Sequence, residues 1–447
     1  MHLSNTVETY DFLTKNHIHW FLVSRELDIQ KEFQKQLNKS GNLTKFYENS
    51  NLSIKNFIEN VNLETKKNKT IVYITDKCYP SLSRQAEFMK KNGYKTFLIS
   101  MDSLSQQNLE MIIGSFDNII QNLSFFPTLG KVLNSITPNF FHVQCWMWQY
   151  SLGKFVIQKN IKSKVISDFY DITGMYANHN DLNMVFPKFI IKQDFDCEKF
   201  IFENSDGIIH RYKQSVLNEY AKKYKKKGKI LEFQQYPVEI VDSKNKLNKK
   251  NQSYKFVFCG ILIAPDDQTQ PKELFNSAGL HYTFKKILEN NHEIGVFLPL
   301  SYSQQKYKWL FDLKQQFLEK LNIYKFLPIK ELIKEISNYD FGINFQKFDI
   351  KKTKVSKYTY NGGMGTKNYT YLEAGLPIII NKEYKYHDEL VSKNKIGISL
   401  MSKDLDNLNF LINKANIKEL KKNVRKFNIK NNLYKKGKEL LSFYESL

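Results

Sequence analysis

The stretch MGTKNYTYLEAGLPIII, residues 364–380, joins a glycine-containing turn to a helix-type segment and then to a fully apolar run. An apolar run bounded by turn residues such as Gly-Leu-Pro is typical of a strand buried on both faces of a sheet. A helix that leads directly into such a strand is the repeating unit of a parallel sheet. The stretch therefore predicts an α/β fold, and the segments on either side of it follow the same alternation.

Two series of alternating strands and helices predict two doubly wound, Rossmann-like domains that face each other across a cleft. The first series opens with KTIVYITD (69–76), SLSRQAEFMKKNGY (81–94) and KTFLISM (95–101), and the second opens with YKFVFCG (254–260). Strands separated by amphipathic helices give parallel βαβ units. The sequence predicts a helical N-terminal extension (1–68), a first Rossmann-like domain (69–240) and a polar linker (241–253). A second Rossmann-like domain (254–425) follows, and then a C-terminal helix (426–447) that packs back on the first domain.

The composition excludes a disordered chain and disfavours nucleic acid as a partner. The 447 residues include 67 Lys+Arg against 45 Asp+Glu, which gives a formal net charge of +22, and 42% of residues are hydrophobic. Such a chain can bury large cores. The lysines scatter along the sequence and form no basic stripe interleaved with aromatic residues, so we expect no nucleic-acid partner.

The cysteines and the N-terminus favour a cytoplasmic protein without a metal site. The four cysteines are widely spaced and form no CxxC pair, which makes a zinc site improbable and suits a reducing compartment. The Asp-Phe-Asp at 194–196 imitates a metal-binding Asp-x-Asp but leads into a predicted helix, so we predict no metal ligand there. No signal peptide or membrane span is expected. Peripheral contact at the inner membrane face stays open.

The turn at the start of the quoted stretch is a candidate anion site. The segment NGGMGT (361–366) allows the backbone to approach an anion closely, and a helix that begins there offers unpaired amides to a phosphate. Thr366 is a candidate helix cap, Lys367 can add a charge beside a diphosphate, and Glu373 can accept hydrogen bonds from sugar hydroxyls. The alternative is an ordinary glycine turn followed by a solvated glutamate.

A family resemblance supports the ligand-binding interpretation. The run KNYTYLEAGLPIII (367–380) resembles the K-x-x-E-Y-x-A-x-G-x-P-V-I pattern near the carboxyl end of GT-B glycosyltransferases of the family-4, or group 1, type. The preceding IKELIKEISNYDFGINF (329–345) is similar to the segment that stands before that pattern in the family. A further family pattern, E......aDgvi..s, resembles EKFIFENSDGIIHRY (198–212), in which Glu198 and Asp206 are the matching residues. The resemblance extends over about residues 69–447, and its specific part is YLEAGLPIII.

The resemblance implies metal-independent, cofactor-free transfer of a sugar from a nucleotide-sugar donor to a glycan, a lipid-linked or a protein acceptor, as in bacterial surface-glycan or protein glycosylation. The positions that match donor-binding residues are Gly260, Gly363, Gly365, Thr366, Lys367, Asn368 and Glu373. In the first domain, Asp171 is the candidate proton acceptor, with Asp168 as the second choice, because both follow a predicted strand. Arg84 and His142 are further candidate contacts, and ordinary packing is the alternative for His142.

Three departures from the family pattern keep other functions open. Gly365 stands where many members have the first of two glutamates, and Ile261 stands where a basic residue is usual, although Lys272 is near it. The first loop, KCYPSLSRQ (77–85), lacks a glycine pair, for which Arg84 is a candidate substitute contact. The alternatives are a catalytically silent GT-B subunit that binds glycans or a partner, and a sugar-nucleotide epimerase of the same architecture.

Overall fold

The computed structural model describes residues 42–447 apart from 77–79, 102–103, 105, 122, 124–125, 148–149, 160–161, 185, 187, 242–252, 263–273, 275–278, 299–306 and 326. The predictions for residues 1–41, for nearly all of the linker and for Lys272 therefore lie outside the described residues.

The chain divides into two compact units. The first contains the described residues up to Arg211, together with Asn218–Phe233 and Glu439–Leu447. The second contains Gln234–Lys438 and the short segment Tyr212–Leu217. The sequence did not predict that this short segment belongs to the second unit.

The first unit is built on a parallel sheet. Its strands are β1 (Thr70–Thr75), β2 (Lys95–Ser100), β3 (Asn118–Ile120), β4 (Phe140–Cys145), β5 (Lys164–Phe169), β6 (Gly207–His210) and β7 (Lys229–Glu232). Its helices are α1 (Asn42–Thr65), α2 (Pro80–Lys91), α3 (Gln106–Ile112), α4 (Phe126–Ser135), α5 (Tyr150–Lys159), α6 (Thr173–Tyr176), α7 (His179–Leu182) and α8 (Lys188–Asn204). The helix α9 (Gln214–Ala221) runs from the short segment of the second unit into the first.

The second unit is built in the same way. Its strands are β8 (Lys255–Cys259), β9 (Glu293–Phe297), β10 (Leu321–Tyr324), β11 (Phe341–Asn344), β12 (Ile378–Asn381) and β13 (Gly397–Leu400). Its helices are α10 (Leu280–Glu289), α11 (Lys308–Phe317), α12 (Ile329–Ile336), α13 (Lys357–Gly362), α14 (Thr366–Glu373), α15 (Lys385–Asn394), α16 (Leu408–Lys414) and α17 (Ile417–Lys430). The last helix, α18 (Leu433–Glu445), begins in this unit and ends in the first.

Both sheets have the strand order of a Rossmann-like fold. In the described residues, the seven-stranded sheet has the order β3-β2-β1-β4-β5-β6-β7 and the six-stranded sheet has the order β10-β9-β8-β11-β12-β13. Paired strands run parallel, with β1 beside β4 and β8 beside β11 at the centre. The order reverses at each of these pairs, and ligands of such folds bind beyond the carboxyl ends of the strands there. The predicted fold class, two Rossmann-like domains with a helical segment before the first, is confirmed.

The quoted stretch forms α14 and β12, as predicted, because its residues suit both ends of the helix. The helix ends at Glu373, and Gly375 adopts φ +77°, which a glycine reaches without strain. The Leu376 N–H donates to the Tyr371 carbonyl at 3.0 Å, and the Gly375 N–H donates to the Leu372 carbonyl at 2.9 Å. This pairing closes the helix and turns the chain into the fully buried strand β12.

Candidate functional site

The candidate anion turn lies at the start of α14 in the second unit. Gly365 is the residue that precedes the helix, and Thr366 is its first residue. The prediction that Thr366 caps the helix is therefore wrong: the capping position belongs to a glycine, and no side chain forms a capping hydrogen bond there. A helix start without a side-chain cap leaves its first amides available to an anion.

Lys367 extends from the first turn of α14 to the end of β8. Its Nζ lies 4.3 Å from the ring centroid of Phe258. A Cβ atom added to Gly260 would lie only 2.7 Å from the Lys367 Cε, so the lysine lies directly over this glycine and would have to move if a side chain were present there. Gly260 also adopts φ +134°, a conformation that only glycine takes readily.

The Lys367 ammonium is half-buried and has no hydrogen bond or ion pair with any residue that the structure describes. Burial lowers its pKa to about 8, while the nearby Cys259 opposes this slightly. A cation that has lost water and has gained no carboxylate is stabilised when an anion binds beside it. This lysine is therefore well suited to a phosphate group.

Two side chains that the sequence did not suggest hold the turn in place. The Gly365 N–H donates to His387 Nε2 at 3.0 Å, so the amide of this glycine is already engaged. Asn344, at the end of β11, donates through Nδ2 to the Asn368 Oδ1 at 2.8 Å. Asn368 is fully buried, so its contacts favour a role in supporting the turn, and its predicted donor contact stays a prediction.

The remaining donor candidates are also engaged within the second unit. The Gly363 N–H donates to the Thr359 carbonyl at 2.9 Å and closes α13. Glu373 is 1% exposed, and its Oε1 accepts the backbone N–H groups of Val238 at 3.0 Å and Glu239 at 3.2 Å. The role predicted for Glu373 in hydroxyl binding stays a prediction, and its contacts favour anchoring of the segment that follows Pro237.

In the first unit, Asp168 and His142 belong to a buried polar network. Both are 0% exposed, and His142 Nε2 lies 3.3 Å from the Asp168 Oδ2. The Arg211 guanidinium contacts both carboxylate oxygens at 3.3 Å, and Gln85 donates to Oδ2 at 3.2 Å. On the other side, His142 Nδ1 lies 2.5 Å from the Tyr444 hydroxyl.

This network fixes the charge of Asp168. Burial alone would raise the pKa of the carboxyl, but the Arg211 guanidinium and the hydrogen bond from His142 outweigh it and hold the pKa below its usual range. A fully buried, ionised and paired carboxylate is suited to positioning its neighbours. The predicted substrate contacts of Asp168 and His142 stay predictions, and their surroundings favour a supporting role.

Asp171 has a different environment two residues beyond the end of β5. It is half-buried, and its carboxylate has no hydrogen bond or ion pair in the part of the chain that the structure describes. Burial raises its pKa, and the charge of Arg211 opposes that rise only in part. A carboxyl group with a raised pKa and no partner is able to accept a proton.

The turn that carries Asp171 is fixed by buried side chains. The Tyr150 hydroxyl donates to the Asp171 carbonyl and accepts the Thr173 N–H at 3.1 Å. The Gly174 N–H donates to the fully buried Glu198 at 3.0 Å, and the Thr173 hydroxyl donates to Asp194 at 2.9 Å. Asp194 of the Asp-Phe-Asp motif thus has a structural partner.

Arg84 lies on α2 and is 7% exposed, so its predicted ligand contact also stays a prediction. Arg211, Gln85 and Tyr444 are residues of the buried polar network that sequence reasoning missed, and Arg211 is the one with a signal in the sequence. It follows β6 directly, and a cation at the carboxyl end of a parallel strand was the signal that could have identified it.

Two further findings concern metals and membranes. Within the described residues, no group of three or more His, Cys, Asp or Glu side chains is arranged to hold a metal ion. None of the helices in these same ranges is long and apolar enough to span a bilayer.

Comparisons with known proteins give the class of fold. Residues 302–438, which include the quoted stretch, match the family model described as "Glucosyltransferase 3-like, C-terminal domain". No curated protein sequence matches the chain. The solved lipopolysaccharide outer core galactosyltransferase WaaB is similar with a TM-score of 0.51 and 10% identity over 84% of this chain and 99% of that one.

Two other solved structures resemble the chain more weakly. The UDP-GlcNAc 2-epimerase of Methanocaldococcus jannaschii has a TM-score of 0.49 and 13% identity over 85% of this chain and 100% of that one. The Thermobaculum terrenum O-GlcNAc transferase has a TM-score of 0.47 and 9% identity over 85% of this chain and 68% of that one. The chain has the GT-B class of fold, and the resemblance to GT-B glycosyltransferases that the sequence suggested is confirmed.

Proposed function

We propose that the protein is a glycosyltransferase that takes its sugar from a nucleotide-sugar donor. The observation that carries this proposal is the Lys367 ammonium, which has no ion pair among the described residues and lies at the start of α14 directly beside Gly260. Positive charge at a helix start stabilises a diphosphate and, more strongly, the charge that develops on a departing nucleoside diphosphate. The match of residues 302–438 to a glucosyltransferase-like domain supports glucose as the first donor sugar to test.

In this proposal Asp171 is the proton acceptor of the first unit. Transfer breaks the bond between the anomeric carbon and the diphosphate oxygen and forms a bond to an acceptor hydroxyl, whose proton must leave. The raised pKa of Asp171 and its lack of a partner among the described residues support that role. Asp168 and Arg211 form an ion pair at the end of β5, and we propose that this pair orients the turn that carries Asp171.

The charge at the diphosphate also bears on the need for a metal. The ammonium of Lys367 and the first amides of α14 supply positive charge of the kind that a divalent ion supplies in other transferases. We therefore propose a reaction that proceeds without an added divalent ion. Activity that persists in excess chelator supports this, and activity that requires Mg²⁺ or Mn²⁺ contradicts it.

The experiment is a screen of nucleotide sugars, beginning with UDP-glucose, in which mass spectrometry follows donor consumption and sugar transfer to glycan, lipid-linked and peptide acceptors. Lys367→Ala is expected to lower kcat/KM by about 10²-fold, because it removes one charge from the transition state. Lys330→Ala is the matched control, since Lys330 is an exposed second residue of α12 in the same unit. Equal activity of both variants would contradict the site assignment.

Two alternatives give different results in that screen. A catalytically silent subunit binds donor or glycan without turnover. This alternative is tested because Gly365 and Ile261 stand where the family pattern has a glutamate and a basic residue. An epimerase converts the donor sugar with no acceptor present. Sugar transfer by the wild type, abolished in Asp171→Asn while donor binding is retained, would identify a transferase and contradict both alternatives.

Peripheral membrane contact is part of the proposal for lipid-linked acceptors. The exposed face of α17 and the start of α18 carries two anions, Glu419 and Glu439, and two exposed apolar side chains, Ile429 and Tyr434. The exposed cations there are Lys418, Lys422, Arg425, Lys426, Lys430, Lys435 and Lys438. Binding to vesicles that contain anionic lipid, but not to neutral vesicles, would support this contact, and equal binding to both would contradict it.

A further inference from the structure

His387 contacts the candidate anion turn through one nitrogen only. It lies in the first turn of α15, is 6% exposed and stacks on Tyr384 with ring centroids 5.3 Å apart. Its Nε2 accepts the Gly365 N–H, so the neutral imidazole must carry its proton on Nδ1. That Nδ1 is buried and has no hydrogen-bond partner among the residues that the structure describes.

A buried N–H donor without a partner, such as the His387 Nδ1–H among the described residues, lowers the stability of the folded protein. The presence of histidine at this position therefore calls for another explanation. Nearly all buried polar groups in folded proteins have a partner, and each exception calls for a reason. An apolar ring at position 387 would retain the stacking on Tyr384 and would bury no unpaired N–H. The feature that such a ring would lose is the bond to the Gly365 amide.

A second buried histidine of the same unit shows the contrast. His292 is 2% exposed, and it precedes β9 at the amino end of the sheet, away from the strand ends where ligands bind. Its Nδ1 accepts the Tyr254 N–H at 3.3 Å, and its Nε2 lies 3.1 Å from the Asn409 side-chain oxygen. Both of its nitrogens therefore have partners, as expected of a histidine with a structural role.

The bond to His387 determines which backbone amides of the turn can meet an anion. Because the Gly365 N–H points to His387 and the Asn368 N–H donates to the Gly365 carbonyl at 3.2 Å, an anion at this turn would meet the helix start at Thr366 and Lys367. A Cβ atom at Gly365 would lie 3.2 Å from the Asn344 Nδ2 and 3.6 Å from the His387 Cε1, so the turn is held between these two side chains.

We propose that His387 is a positioning residue for nucleoside diphosphate binding: it holds the Gly365 amide so that the first turn of α14 and Lys367 are presented to the diphosphate. The inference rests on the proposed function and identifies a residue that determines the geometry of the same site. His387 itself does not contact the diphosphate, because its ring is buried and its Nε2 is occupied.

The experiment measures the affinity of the full chain for UDP, GDP and ADP by calorimetry, together with the melting temperature. His387→Phe keeps an aromatic ring but removes the acceptor, and His387→Gln restores an acceptor oxygen near the Nε2 position. His292→Phe is the matched control for loss of a buried histidine. Amide hydrogen exchange at Gly365 and the ¹⁵N signals of the imidazole rings report the contact and the tautomer without any ligand.

We expect His387→Phe to weaken binding of the preferred nucleotide about three- to tenfold, as for loss of one hydrogen bond, and to lower the melting temperature no more than His292→Phe does. His387→Gln should bind within about twofold of the wild type, and His292→Phe should leave the affinity unchanged. The wild-type Gly365 amide should be protected, and the ¹⁵N signals should show an imidazole with its proton on Nδ1.

Several results would overturn the inference. Unchanged affinity in His387→Phe removes the positioning role while the proposed function stands. An unprotected Gly365 amide removes the contact itself. Equal losses of affinity in His387→Phe and His292→Phe, each with a lower melting temperature, indicate general destabilisation instead. If the wild type binds none of the three nucleotides, the proposed function fails, and this inference fails with it.

Discussion

Lys367 shows how one residue can be unfavourable for the free protein and useful to a complex. Its ammonium is half-buried over the Phe258 ring and has no carboxylate beside it in the described chain. Burial accordingly lowers the pKa of this lysine to about 8, well below its ordinary value. A bound diphosphate would supply the missing anion and raise the pKa again, so protonation and binding are coupled.

This coupling predicts a pH dependence of nucleotide binding. Below about pH 8, Lys367 of the free protein already carries its proton, so the affinity for the nucleotide should change little with pH. Above pH 8 the free lysine loses its proton and binding must recover it, so the affinity should fall by up to about tenfold per pH unit.

Calorimetric titration of UDP, GDP or ADP between pH 7 and pH 9.5 measures this dependence. Lys367→Arg is the control, because a guanidinium stays protonated throughout this range. A wild-type affinity that stays level up to pH 9.5 would show that Lys367 is not the group that meets the diphosphate.

At the scale of elements, α14 is held at both ends by contacts that differ in kind. At its start, the turn depends on His387 and Asn344. At its end, Glu373 accepts two backbone N–H groups from the segment after Pro237. The helix is therefore placed by its partners as well as by the strand β12 that follows it.

The two roles of Glu373, anchor or sugar contact, lead to different results on substitution. As an anchor, Glu373→Ala should cost the second unit about 1–3 kcal/mol, because two backbone N–H groups lose their acceptor. Glu373→Gln should cost less, because its amide oxygen can accept the same bonds. Chemical denaturation measures both variants. A normal stability of Glu373→Ala combined with a large rise in donor KM would instead favour the predicted contact with sugar hydroxyls.

The elements could be predicted from the sequence, and most of the polar contacts could not. Apolar runs such as TIVYIT and PIIIN and the Gly-Leu-Pro that ends α14 carry local signals that predicted strands and boundaries correctly. The Arg211–Asp168 pair joins residues 43 positions apart, and the His142–Tyr444 contact joins residues 302 positions apart. No local pattern encodes such pairs, since they depend on which strands become neighbours in the sheet.

At the scale of the whole molecule, the first unit is completed by the end of the chain. Leu440, Phe443 and Tyr444 are buried, and Tyr444 packs on Phe140 with ring centroids 5.0 Å apart. A Cβ atom on Gly207 would lie 2.9 Å from Phe443, so this strand start and the helix are in close contact. The first sheet is therefore packed against α18, whose residues lie far from its strands in the sequence.

Removal of residues 439–447 should consequently destabilise the first unit. Loss of three buried side chains, at about 1.5–3 kcal/mol each, is comparable to the whole stability of a typical domain. Tyr444→Phe is the milder variant: it keeps the ring and removes the hydroxyl beside His142 Nδ1, for an expected cost of about 1–2 kcal/mol. Ser442→Ala, an exposed change on the same helix, is the control. Calorimetric unfolding measures all three, and a truncated chain that unfolds at the wild-type temperature would show that the C-terminal segment does not complete this unit.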